Sequence, residues 1–350
     1  MPRRGATALV EGGVAALVLG MVLILTPTGQ ARPPAHPASS GPRAGGRDED
    51  TGGDTTGEVD GWAGQAIDPA LFSPGACMAF APTSGDRHET VFLDAGHGGI
   101  DPGAVGSTEG GQPIDEAAVN LAVQLDTMAI LRGQGYRVVV SRTQDTTVTK
   151  LTPGDTSGGI LTVQGAFNDV AARDVCANMA GADVLIGIYM DSGDPWNAGC
   201  VTGYDADRPF SAANLRLATL LQDDVLGALN AQGYDIPDEG VLPDTVLGSA
   251  LTGAALAYGH LILLGPAQAG YFSTPSQMPG ALIEPLFVTD PFEGSIAVSA
   301  HGQQVIASAL AEAVNQYLSP PAANPAANPA TDLRNLRLAS PLYGPLWSGL

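Results

Sequence analysis

Val91–Gly106 reads VFLDAGHGGIDPGAVG, an apolar β-rich run that breaks abruptly into a glycine-rich turn carrying Asp94, His97 and Asp101. The run begins near His88 (HETVFLDA) and predicts a strand ending at Ala95. Downstream, Val119, Val123, Leu125 and Met128 recur at helical spacing, so a helix is expected over Glu116–Leu131, with Asp115 as N-cap and Gly133 as stop. A second strand, Tyr136–Ser141 (YRVVVS), completes a strand–helix–strand unit, which requires parallel strands. The alternation continues with a helix over Thr162–Met179, a strand over Val184–Met190 (VLIGIYM) and a helix over Leu215–Leu229. Short strands are expected at Leu261–Leu264 (LILL) and Gly280–Ile283 (GALI), and a last helix over Ile296–Leu318. This pattern predicts an α/β fold: a single three-layer domain whose mostly parallel central sheet is flanked by helices on both faces. Chemistry is then expected at the carboxyl ends of the strands.

The flanks read differently. Arg3 and Arg4 precede an apolar run from Gly12 to Leu25, the layout of a signal peptide or signal anchor over residues 1–31. That run is shorter than the about 20 residues of a bilayer span. Residues 32–67, rich in Pro, Gly, Asp, Thr and Ser, predict a disordered linker; residues 68–319 the folded domain; residues 320–350, opening PPAANPAANPA, a Pro/Ala-rich tail. An exported protein is expected, in the cell wall or extracellular, with the N-terminal segment as a candidate membrane anchor. Cys77, Cys176 and Cys200 allow at most one internal disulfide, Cys176 with Cys200 being one candidate pair across a predicted strand. Without a CxxC pair, a thiolate metal cluster is excluded.

The formal charge of −21, with Lys150 the sole lysine and no run of four or more basic residues, sets the protein's own field against a phosphate backbone, so nucleic acid is not an expected partner. The glycine-rich turn is no phosphate cradle either: GxGxxG and GK[ST] are both missing, and Asp94 and Asp101 would repel an anion. A histidine at a strand end among glycines suits a metal ligand. Glu116 opens the following helix, and Glu284 ends the strand GALIE. One imidazole and two carboxylates at the ends of core elements match what metal-assisted hydrolysis needs: ligands, an open coordination position and a base.

On these residues the chain resembles the zinc-dependent N-acetylmuramoyl-L-alanine amidases of the Amidase_3 family. The resemblance rests on VFLDAGHGGIDPGA, on Glu116 with Asn120, on YRVVVSR ending at Arg142, on Arg173 with Ala177-Asn178, and on ALIEPLF with Glu284, in order over roughly residues 90–318. It implies a peptidoglycan hydrolase that cuts the amide between N-acetylmuramic acid and L-alanine of the stem peptide. It also implies one Zn2+ ion held by His97 and Glu116, with Glu284 as the catalytic acid or base. Where the family has a second ligand histidine, this chain has Tyr189 in Gly187-Ile188-Tyr189-Met190-Asp191. Period-2 alternation puts Gly187, Tyr189 and Asp191 on one face, so Tyr189 or Asp191 is the candidate third ligand. His260 is the other histidine singled out as a possible ligand. The departure at Tyr189 leaves a second reading, a catalytically impaired amidase fold that binds wall fragments or a partner.

Overall fold

The computed structural model describes residues 64–247 and 253–319; the leader, most of the linker and the C-terminal tail lie outside them. The strands are β1 (Gln65–Ala66), β2 (Ala76–Phe80), β3 (Thr90–Ala95), β4 (Val105–Ser107), β5 (Pro113–Asp115), β6 (Arg137–Arg142), β7 (Thr156–Ser157), β8 (Ile160–Leu161), β9 (Val184–Ile188), β10 (Cys200–Tyr204), β11 (Asp238–Pro243) and β12 (Gly280–Glu284). The helices are α1 (Glu116–Gly133), α2 (Val163–Ala180), α3 (Ser211–Ala231), α4 (Gly253–Tyr258), α5 (Pro291–Ala297) and α6 (Ala300–Leu318).

Eight strands form one sheet in the order β1-β2-β6-β3-β9-β12-β10-β11, and the hairpins β4–β5 and β7–β8 stand apart. The central strands β6, β3, β9 and β12 are parallel, as the alternating pattern requires. Strand β10 runs antiparallel to β12 and parallel to β11, while β1 and β2 add an antiparallel edge at the other side. Side chains alternate across the sheet: Val91, Leu93, Ile186 and Ile283 pack in one core with α1, α3 and α6. Phe92, Leu185 and Leu282 pack in a second core with α2.

Strand and helix edges differ from expectation in three informative places. Leu261–Leu264 is no strand; Gly265 N–H donates to Leu261 O in a turn, and the leucines are buried by packing alone. A short apolar run fits either outcome, and here burial holds without a ladder. The last helix is two, because Ser299 caps α6 by accepting from Gly302 N–H. Finally, Cys77 pairs with Cys176, not Cys200. Cys176 and Cys200 lie in cores on opposite faces of the sheet, which separates them.

Candidate active site

Four segments converge at the carboxyl ends of the parallel strands. The turn after β3 carries His97, the start of α1 carries Glu116, the chain leaving β9 carries Tyr189 and Asp191, and β12 ends in Glu284. All five line one cavity of about 340 Å³, whose apolar wall includes Leu261, Ile262 and Leu263.

His97 sits in the left-handed region at φ +61°. Its Nδ1 lies 2.9 Å from Asp101 Oδ2, four residues on, and its Nε2 lies 3.2 Å from Glu116 Oε2. Asp101 thereby orients the ring, the arrangement commonly found behind metal-binding histidines. Burial opposes a charged imidazolium, but the Glu116 and Asp101 carboxylates outweigh it and push His97 up to about 10. Glu116 is buried and is held on both oxygens: Ala104 N–H donates to Oε2, and Met190 N–H and the Asn120 amide donate to Oε1. Burial raises its pKa, yet His97 and these donors bring it below the usual range. Gly103 makes the approach possible, since a Cβ there would stand 2.6 Å from Glu116 Oε2 and 2.7 Å from the His97 ring.

Two buried arginines brace the turn from beneath. Arg142 donates to the carbonyls of Ala95, Gly96 and Ala117. Arg173 donates to the carbonyls of Ala95 and His97, and pairs with Asp94 and Asp169. Thus the motif arginines hold the backbone of the turn and, through Arg173, the buried Asp94 and Asp169, and neither lines the cavity.

Glu284 is 3% exposed, and its Oε2 has no hydrogen-bond partner. Burial, then the charges of Asp191 and Glu116, hold its carboxyl well above the usual carboxylate range. Asp191 reaches it because the chain beyond β9 bridges Phe287, just past β12.

Tyr189 turns its hydroxyl away to donate to Asp94 Oδ2 at 3.0 Å, while its ring meets that of His97 edge-on. Burial and the Asp94 charge raise the phenol well above 10, so ionisation there is opposed. Two ligands about 2.0–2.1 Å from a tetrahedral ion stand roughly 3.3–3.4 Å apart, and the His97–Glu116 separation of 3.2 Å fits that geometry. The pair therefore suits a divalent cation. Tyr189, with its hydroxyl engaged by Asp94, does not complete the set in this arrangement.

His260 lies elsewhere, beside Asp205 and Asp244. Among the described residues, these three form the one group of three or more His, Cys, Asp or Glu whose ligand atoms all lie within 4.8 Å of one another. Asp205 and Asp244 carried no readable signal, being isolated acids in loops far apart in sequence. Asp101 had a usable one, its spacing of four residues from His97.

The model of the family described as N-acetylmuramoyl-L-alanine amidase (Amidase_3) matches residues 91–316. The chain belongs to this family. The amidase AmiA of Escherichia coli strain K12 is 27% identical over 252 residues, covering 68% of this chain and 78% of that protein. AmiA of Salmonella typhimurium is 27% identical over 241 residues, covering 65% and 75%. Among solved structures, the amidase AmiC2 of Nostoc punctiforme matches at a TM-score of 0.46 and 23% identity, covering 67% of this chain and 99% of that one. Within the amidase family's matched span lie His97, Asp101, Glu116, Tyr189, Asp191 and Glu284, so every cavity carboxylate and the cavity imidazole fall in the matched region.

Proposed function

We propose that this protein is an exported hydrolase that cuts the amide between N-acetylmuramic acid and the L-alanine of the peptidoglycan stem peptide. The observation that carries this reading is one cavity lined by the His97–Glu116 pair and by the buried Glu284 carboxyl, whose Oε2 has no hydrogen-bond partner. Membership of the amidase family supports the substrate class. The Cys77–Cys176 disulfide supports export, since such bonds persist in oxidising compartments.

A divalent cation held by His97 and Glu116, zinc being the family's ion, would supply Lewis-acid polarisation of the scissile carbonyl. Water is the nucleophile: its oxygen joins the carbonyl carbon as the C–N bond breaks, and the amine must leave with a proton. Asp101 holds His97 with Nε2 toward Glu116. Glu284, kept protonated by burial and by Asp191, has a proton to give to the departing amine, the step an amide needs most because a free amide anion is a poor leaving group. Leu261, Ile262 and Leu263 give the cavity an apolar wall, and polar interactions beside such a wall are stronger than in bulk water.

The test is digestion of purified sacculi by the zinc-loaded protein, with released peptides identified by mass spectrometry. Stem peptides beginning at L-alanine are expected, and Glu284→Ala should lower their rate of release by about 10²–10⁴-fold. A wild-type protein that releases none of them would support the reading as an impaired, wall-binding amidase fold, which the engagement of Tyr189 by Asp94 favours.

A further inference from the structure

The Asp205–Asp244–His260 group is separate from the cavity just described. Strand β10 runs antiparallel to β12, with Val201 opposite Glu284 and Gly203 opposite Leu282. Asp205 follows β10 directly, so it lies on the order of 13 Å further along the strand direction than Glu284, at about 3.3 Å per residue. Asp244 opens the short 3-10 turn after β11, and His260 follows α4. Three elements distant in sequence thus place one donor each at the same point.

Both carboxylates are fully buried, whereas the His260 side chain is 17% exposed and leads to solvent. One oxygen of each acid is committed to backbone. Asp205 Oδ1 accepts from Asp207 and Arg208 N–H, and Asp244 Oδ2 accepts from Leu261 N–H. The remaining atoms, Asp205 Oδ2 and Asp244 Oδ1, have no hydrogen-bond partner, and neither has His260 Nδ1. That nitrogen stands 3.0 Å from Asp205 Oδ2 and 3.3 Å from Asp244 Oδ2, close enough for an ion pair but without the alignment of a hydrogen bond. Buried polar atoms left in this way are costly, and a shared cation satisfies all three. Arg208 acts on Asp205 through its charge, but its guanidinium donates to the carbonyls of Leu264, Gly265 and Ser276 rather than to either carboxylate.

We propose that Asp205, Asp244 and His260 bind a divalent transition-metal cation of the zinc type, independent of any ion at His97 and Glu116. Two carboxylate oxygens and one imidazole nitrogen are a familiar ligand set for zinc. Calcium, which takes six to eight oxygens, is a poor match. The ion pins the segment after His260 to β10 and to the turn after β11. Since Leu261, Ile262 and Leu263 form the apolar wall of the cavity, occupancy fixes that wall.

The experiment measures zinc bound to the purified full-length protein by equilibrium dialysis and elemental analysis, together with thermal unfolding. A His97→Ala background removes the other candidate ion, and wild type compared with it tests that ion separately. In this background about one zinc per chain is expected, with a raised Tm on zinc addition. Adding Asp244→Asn or, as a milder change on a partly exposed side chain, His260→Gln should weaken zinc binding by at least about 10-fold and abolish the Tm shift. The proposal is overturned if His97→Ala protein binds no zinc, or if it keeps its zinc and its Tm shift with His260→Gln in place.

Discussion

Tyr189 shows how a single side chain redirects a site. Gly96 gives its ring room, because a Cβ there would fall 2.3 Å from Tyr189 Cε1, and the phenol then reaches Asp94, whose other oxygen is held by Arg173. Asp94 is fully buried, so each donor matters. Tyr189→Phe removes one and should destabilise the protein by about 1–3 kcal/mol, the cost of leaving a buried charged acceptor short of a partner. Urea unfolding of the two proteins checks it; equal midpoints would mean that Arg173 alone satisfies Asp94. That Tyr189 departs from the family pattern was legible in the sequence. The destination of its hydroxyl was not, since Asp94 is 95 residues away and no local rule links them. That His97, Glu116 and Glu284 share one cavity was legible because each sits at the end of a core element, within motifs that resemble the family's.

At the scale of elements, the parallel centre of the sheet followed from the alternation of period-2 and period-3.6 segments, since parallel neighbours need a crossover helix. Strands β2, β10 and β11 escaped that reading. They lie toward the margins of the sheet: β2 (ACMAF) shows no alternation, β10 is interrupted by Gly203, and β11 carries Gly240 and Pro243, so their pattern is weak. The pairing of Cys77 with Cys176 was equally hidden, because β2 was not recognised as the neighbour of α2. That bond closes a sequence separation of 99 residues and anchors α2, which also carries Arg173 and Asp169. The loop-closure entropy removed from the unfolded chain is worth about 4–5 kcal/mol. Replacing both cysteines by serine should therefore lower the guanidinium unfolding free energy by about that amount. Because Arg173 holds the carbonyls of Ala95 and His97, amide exchange in the turn after β3 should rise as well.

For the molecule as a whole, the excess of acid is also an internal matter, because several carboxyls are buried with raised pKa. Glu293 is 1% exposed, and its two oxygens accept from Gly199 and Phe287 N–H, tying α5 to the turns beside β10 and β12. Burial pushes it up to about 7 despite those donors, and burial with the Asp205 charge pushes Asp244 up to about 6. Between its unfolded value near 4.5 and its folded value near 7, Glu293 binds more protons in the native state than in the unfolded one. The stability it contributes is then full below about pH 4.5 and is lost as pH rises toward 7, by on the order of 3 kcal/mol. Asp244 acts in the same direction over a lower window, ending near pH 6. Metal-free protein, kept so by chelator, should accordingly become less stable from pH 4.5 to 7, opposite to a protein whose carboxylates are ion-paired. Glu293→Gln keeps the shape but cannot titrate. Its amide accepts only one of the two backbone N–H groups well, so absolute stability should fall at low pH while the slope between pH 4.5 and 7 becomes shallower. Denaturant titrations at half-unit pH steps measure that slope directly, and an unchanged slope would assign the proton uptake to other groups.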